Sequence, residues 1–333
     1  MLSRVAENLF WLSRYVERAE NVARLVDVNL QLFIDEKLPV REQWEPLVAT
    51  LGDQETFRKR GRRTSVREVL AFLTADPAYP NSIAGCLQRA RENARAVREQ
   101  ITTEMWSCLN DLHLRVAAEI GRKRWLEAPH ALYDAIKTQC QLFQGATDAT
   151  MSHDEGWNFI QAGKFLERAE KTARIVDVKY HILLPSPKDV GSPLDFVQWV
   201  AVLKSCSGFE PFCRKHTLQF QIHPIIDFLL RDPVFPRSTA YCLHRVQESL
   251  HRVSGVPVGR YSDGAERKIG QARALVDYRP ATEILKKGLH EFLENVQEVC
   301  NEVGDEIHRR YFAMAPDLQV PEGGTAVRVR SSE

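Results

Sequence analysis

Glu17 and Glu20 stand one helical turn apart, and Arg24 and Asp27 follow at the same helical spacing. Glu167, Glu170, Arg174 and Asp177 repeat the set 150 residues later. Two carboxylates at this spacing share one helix face, where each can raise the pKa of the other and so create a general acid. The adjacent arginines oppose that, because a guanidinium favours the ionised carboxylate. A guanidinium fork also suits a carboxylate or phosphate ligand. Three uses of these residues follow. They are interhelical salt bridges that fix register, a polar pocket or docking face, or a catalytic carboxylate pair. Arg18 and Arg168, which complete the two Glu-Arg steps, lie on a different side of the same helices, where they would pair with another helix.

The elements that must carry these rows are long helices. Leu9, Leu12, Val16, Ala19, Ala23, Val26, Leu30 and Phe33 step by three and four residues, and so do Phe159, Ala162, Leu166, Ala169, Ala173, Val176, Tyr180 and Leu183. Each series is the apolar stripe of one helix, and the charged row runs beside it. The paired alanines in the middle let another helix approach closely. Pro185 and Pro187 end the second helix.

A second block also occurs twice. Asp76-Pro77 through Arg89 returns as Asp232-Pro233 through Arg245, now 156 residues later. Two prolines followed by Ser82 or Ser238 predict a fixed turn that feeds a helix N-cap. Short apolar helices precede each block, around Val69–Leu73 and Ile225–Leu229, and Gly52 with Arg58-Lys59 is matched by Gly208 with Arg214-Lys215. Further helices are expected over 103–150 and 283–312. No alternating strand pattern occurs. The expectation is an all-α, tandemly duplicated helical bundle with a pseudo-two-fold relation between halves 1–150 and 151–315, and a disordered tail over 316–333.

The 333 residues carry a net charge of +1, with 44% apolar and 27% charged residues. That balance gives no field favouring nucleic acid or an anionic membrane. Seven scattered cysteines without a Cys-x-x-Cys pair predict reduced thiols in the cytoplasm. The chain opens directly into amphipathic sequence, so neither a signal peptide nor a membrane span is expected.

Other signals are weaker. Glu248-x-x-His251, Asp305-x-x-His308 and Glu127-x-x-His130 have the spacing of di-iron bundle ligands. The repeat replaces Glu248 and His251 by Glu92 and Arg95, and Pro129 interrupts the third, so no metal is expected. Cys86 and Cys242 share one place in the repeat and read as buried thiols without a base beside them. Arg58, Lys59, Arg60, Arg62 and Arg63 form a basic loop, either solvated or a dock for an anion. No Walker loop, dinucleotide fingerprint or nucleophile elbow appears, so no cofactor is expected and nucleic acid is disfavoured.

The opening Met1-Leu-Ser-Arg-Val-Ala-Glu-Asn-Leu-Phe-Trp-Leu-Ser-Arg-Tyr-Val-Glu-Arg-Ala-Glu-Asn21 resembles the alpha-E family, an all-helical family with a repeated Glu-Arg motif; Glu17-Arg18 and Glu167-Arg168 match that motif. The segment Arg91 to Trp106 is similar to another hallmark, although Arg95 and Arg98 have only His251 and Ser254 as counterparts. The resemblance implies company rather than chemistry. Such proteins are encoded beside, or fused to, a circularly permuted ATP-grasp protein, often with transglutaminase-like or Ntn-hydrolase-like proteins. The expected function is a non-catalytic accessory or substrate-binding subunit of that ligase, in peptide or amide-bond synthesis or modification. An enzyme that uses the paired glutamates for amide transfer or hydrolysis, and a purely structural scaffold, are the alternatives.

Overall fold

The computed structural model describes residues 1–35, 44, 47–52, 54–59, 65–182, 193–216 and 221–313. The described residues contain helices and no strand. The first half contributes α1 (Ser3–Asp35), α2 (Gln54–Lys59), α3 (Val66–Ala75), α4 (Ile83–Ala96), α5 (Thr103–Arg122) and α6 (Pro129–Thr150). The second contributes α7 (Glu155–Ile182), α8 (Pro193–Ser205), α9 (Phe209–Lys215), α10 (Ile222–Arg231), α11 (Thr239–Ser254), α12 (Gly264–Asp277), α13 (Ala281–Lys287) and α14 (Leu289–Ile307). The apolar spacing does not foresee α12. The tail over 316–333 lies outside the described residues.

The two helices that carry the Glu-Arg motifs pack on each other. α1 has 33 residues and is therefore about 50 Å long. α7 lies beside it in the same direction. The Met1 amine meets Glu155 at 2.8 Å, Phe10 and Ser13 abut Gly163, and Arg18 reaches Glu167. The four stripe alanines, Ala19, Ala23, Ala169 and Ala173, are all fully buried. The two helices approach closely at Gly163, where a Cβ would stand 2.3 Å from the Phe10 carbonyl oxygen and 2.4 Å from Ser13 Oγ.

The remaining helices wrap this pair. α1 packs against α4 and α6, and α7 packs against α11 and α14. Several helix starts are capped by a side chain. Ser82 and Ser238 accept the Gly85 and Tyr241 amides at 3.1 Å, which caps α4 and α11. Asp154 caps α7 by accepting the Gly156 amide at 2.9 Å and that of Trp157 at 3.2 Å. α7 is described as far as Ile182, and Pro185 and Pro187 lie outside the described residues. The result is a continuous core with the charged motif residues at its centre.

Candidate functional site

Because α1 and α7 run parallel with matched register, each Glu-Arg step faces the other. The Glu17 carboxylate takes both oxygens' worth of Arg168, from Nε at 2.9 Å and Nη2 at 2.7 Å. Reciprocally, Arg18 donates to Glu167 from Nε at 2.7 Å and Nη2 at 2.9 Å. Both are bidentate fork contacts, the strongest geometry for this pair. The charged rows do not meet one another. Each meets the arginine that follows the opposite glutamate, so Arg18 and Arg168 are the central cations of the site.

The two ends of this clamp are completed differently. Glu17 also accepts from Arg237 at 2.8 Å and Gln144 at 3.0 Å. Glu167 instead accepts from Arg14 at 2.9 Å. At the position equivalent to Arg237 stands Asn81, which accepts from Arg18 at 2.7 Å. At the position equivalent to Gln144 stands Gly304, and the Arg14 guanidinium lies 3.6 Å from where its Cβ would be. A small residue in one half thus leaves room for the arginine that the other half replaces by Lys164.

Glu17 and Glu167 are fully buried. Burial alone would raise their pKa values. Arg168 and Arg237 more than offset this for Glu17, and Arg18 and Arg14 do so for Glu167, so both stay well below the usual carboxylate range. Burial would likewise lower Arg18 and Arg168, yet their partner glutamates raise both. Held ionised by two guanidiniums each, these carboxylates have no proton to give at neutral pH. A cavity beside the clamp, lined by Ser13, Gln144, Gln161 and Lys164 among others, has a volume of about 10 Å³, room for roughly one water. Lys164 is lowered to about 8 there by desolvation and by Arg168.

The rest of each row is also engaged. Glu20 is bound by Arg24, by Arg237 at 2.7 Å and by Gln144 at 3.1 Å. Glu170 is bound by Arg174 at 2.6 Å and lies 3.3 Å from Lys171. Asp27 turns away to α6, where His130 Nδ1 lies at 2.6 Å and Lys137 at 2.7 Å. Asp177 turns to α14, meeting His290 Nδ1 at 2.6 Å and Gln297 at 3.3 Å. Neither histidine contact follows from the spacing of the rows. Their signal is a third sequence offset, of 160 residues, at which His130, Lys137, Cys140 and Gln144 match His290, Gln297, Cys300 and Gly304 in position.

The hydrogen bond to Asp177 raises the pKa of His290, partly opposed by burial and aided by Glu294 and Glu291. A histidine raised on folding adds stability below its unfolded pKa of about 6.5, and that stability is lost as pH rises through the folded value. His290→Gln should therefore lower the melting temperature more at pH 6 than at pH 9. Equal deficits at both pH values would show that the Asp177 contact carries no linked proton.

The other sequence candidates are dispersed. Arg60, Arg62 and Arg63 lie outside the described residues. Lys59 is exposed and paired with Glu55 at 2.8 Å, and Arg58 is exposed. Glu248 is held by Arg245 and Arg252, while His251 Nδ1 donates to the Val256 carbonyl, so the pair does not converge. Among the described residues, no group of three or more His, Cys, Asp or Glu side chains is placed to hold a metal. Cys86 and Cys242 are fully buried, and burial pushes each up to about 12. No described helix is long and apolar enough to cross a membrane.

A family model described as a predicted alpha-helical domain with a conserved ER motif matches residues 1–312. Uncharacterised proteins of Mycobacterium bovis and of Mycobacterium tuberculosis strain CDC 1551 are each 24% identical, over 95% of this chain and 38% of their own length. A further one, from M. tuberculosis strain H37Rv, is 23% identical with the same coverage. The chain therefore spans well under half the length of these curated relatives. No solved structure matches it. The chain belongs to the Alpha-E family.

Proposed function

We propose that this Alpha-E protein is a non-catalytic accessory or substrate-binding subunit that acts with a circularly permuted ATP-grasp ligase in making or modifying peptide or amide bonds. The observation that carries this is the length of its relatives. A stretch equivalent to nearly the whole chain is only 38% of each mycobacterial protein, so there the domain works beside further domains in one polypeptide. The ligase identity comes from the family resemblance. Transglutaminase-like or Ntn-hydrolase-like proteins are the secondary partners that it suggests. A cytoplasmic setting accords with seven free cysteines.

The site chemistry weighs against an enzyme built on the paired glutamates. A glutamate held ionised by two arginines cannot act as a general acid, and a thiol pushed up to about 12 is a poor nucleophile at neutral pH. The internal pairing of Glu17 and Glu167 with arginines favours the structural alternative for the motif itself. We propose further that the chain is a fused duplication with a pseudo-two-fold axis between α1 and α7. The reciprocal Glu17–Arg168 and Arg18–Glu167 contacts support it, as do the equivalent Asp27–His130 and Asp177–His290 contacts.

The test is to purify the protein with its neighbouring ATP-grasp protein and to measure ATP consumption against a panel of amino acids and short peptides. Turnover or substrate choice should depend on the presence of the Alpha-E protein. A ligase that neither binds it nor responds to it would remove the accessory role.

A further inference from the structure

Beside α9, and walled by α10 and the turn before α11, lies an open cleft of about 450 Å³, within the range of small-ligand sites. Phe228, Phe235, Pro211 and Pro236 line it. Phe228 and Phe235 are stacked with centroids 4.5 Å apart, and Val234 at the rim is 66% exposed. Three cations also line it. Lys215 is neutralised by Asp232, and Arg237 by Glu17 and Glu20. Arg214 is exposed, and no described residue partners it. The cleft thus presents apolar walls and one exposed guanidinium with no bonded partner among the described residues.

The first half differs at this place. The residue equivalent to Pro211 is Glu55, which pairs with Lys59, the counterpart of Lys215. In the second half a proline lines the cleft at that position, Lys215 pairs with Asp232 instead, and the helix carries its acid one residue earlier, at Glu210. An exposed guanidinium beside an apolar hollow is suited to accept an anion from outside. The fork of a single arginine fits a carboxylate.

We propose that this cleft binds the C-terminal end of a peptide, with the free α-carboxylate on Arg214 and the last, apolar side chain against Phe228 and Phe235. This deepens the accessory reading by naming a substrate class, and it rests on that reading for its role. The binding itself is measured without any ligase, so its failure and the failure of ligase stimulation are separate results. Arg237 lines the cleft and is also bonded to Glu17 and Glu20, so an occupant would touch the residue that closes one end of the clamp.

The experiment is calorimetric titration of the full chain with N-acetyl-dileucine, its C-terminal amide, free leucine and inorganic phosphate. The acid should bind with a Kd of about 10 µM to 1 mM, and the amide roughly tenfold or more weakly. Arg214→Gln should weaken the acid alone by a similar factor and leave the amide unchanged. Val234→Asp should weaken both. Both positions are exposed, so circular dichroism should show the wild-type helix content in each variant. Equal affinity for acid and amide, or no heat from the acid at about 5 mM, would overturn the proposal. Free leucine binding as well as the dipeptide would overturn its peptide component. Displacement of the acid by an equal concentration of phosphate would reassign the cleft to phosphate.

Discussion

Glu17→Ala is expected to destabilise the protein by about 3–5 kcal/mol, because it strands two buried guanidiniums. Arg168 loses its bidentate partner, and Arg237 loses one of its two carboxylates. Folded domains have only about 5–15 kcal/mol in hand, so this one truncation removes a large share of the total. Glu17→Gln keeps the shape and a hydrogen-bonding oxygen, and should cost less than alanine while still leaving two positive charges poorly compensated. Glu55→Gln, at an exposed pair with Lys59, should change nothing measurable. Urea unfolding of the three variants gives the ordering.

The same residue sets an acid dependence. The folded pKa of Glu17 lies below its ordinary value of 4.5, so its contribution is complete above that pH and is lost as pH falls. Glu167 acts in the same sense. Wild-type stability should therefore decline below about pH 4.5, and Glu17→Gln should flatten that decline. An unchanged acid limb in the variant would mean that Glu17 is not held ionised by its arginines.

Gly163→Ala is the second large effect. The added methyl would meet the Phe10 carbonyl oxygen and Ser13 Oγ, at 2.3 and 2.4 Å. The Phe10 contact is backbone, so it cannot swing aside as the end of a flexible side chain would. α1 and α7 must separate locally, at a cost of about 1–3 kcal/mol for overpacking. Further loss follows if Arg18 and Glu167, one turn away, are drawn apart. Gly163→Leu should be worse than alanine. Gly145→Ala is the control, since nothing lies within 4 Å of a Cβ there and alanine is the better helix former. If Gly163→Ala unfolds at the same urea concentration as wild type, the close approach of the two helices is wrong.

The long helices, their apolar stripes and the serine caps of α4 and α11 were all legible in the sequence, because each depends on spacing within one segment. The charged row was legible for the same reason, and the Glu20–Arg24 and Glu170–Arg174 pairs are intrahelical contacts of that kind. What spacing cannot give is which side chains meet across helices. Arg18 and Arg168 sit about 100° round from the glutamates before them, which makes them look peripheral on a single helix. Only the parallel docking of α1 on α7 turns each toward the opposite glutamate. Arg237 was hidden for another reason. Its counterpart is Asn81, so the comparison of halves that exposed the motif concealed a residue present in one half alone. The His130 and His290 contacts escaped because a third offset, of 160 residues, had to be found beyond the first two.

The close packing of small residues and the crossed ion pairs have one consequence for function. The motif that gives the family its description is occupied in holding the two long helices together. Recognition of an external group is then expected away from the motif glutamates, as at the cleft proposed around Arg214.

The measurement that tests the clamp most directly is a double-mutant cycle in urea across Arg18 and Glu167, using Arg18→Met, Glu167→Gln and the double variant. The crossed pair predicts a coupling energy of roughly 1.5–3 kcal/mol. The parallel cycle on Arg18 and Glu17, neighbours in sequence that bind different partners, should give no more than about 0.5 kcal/mol. Additive losses for Arg18 and Glu167, or a coupling as large between Arg18 and Glu17, would contradict the crossed arrangement.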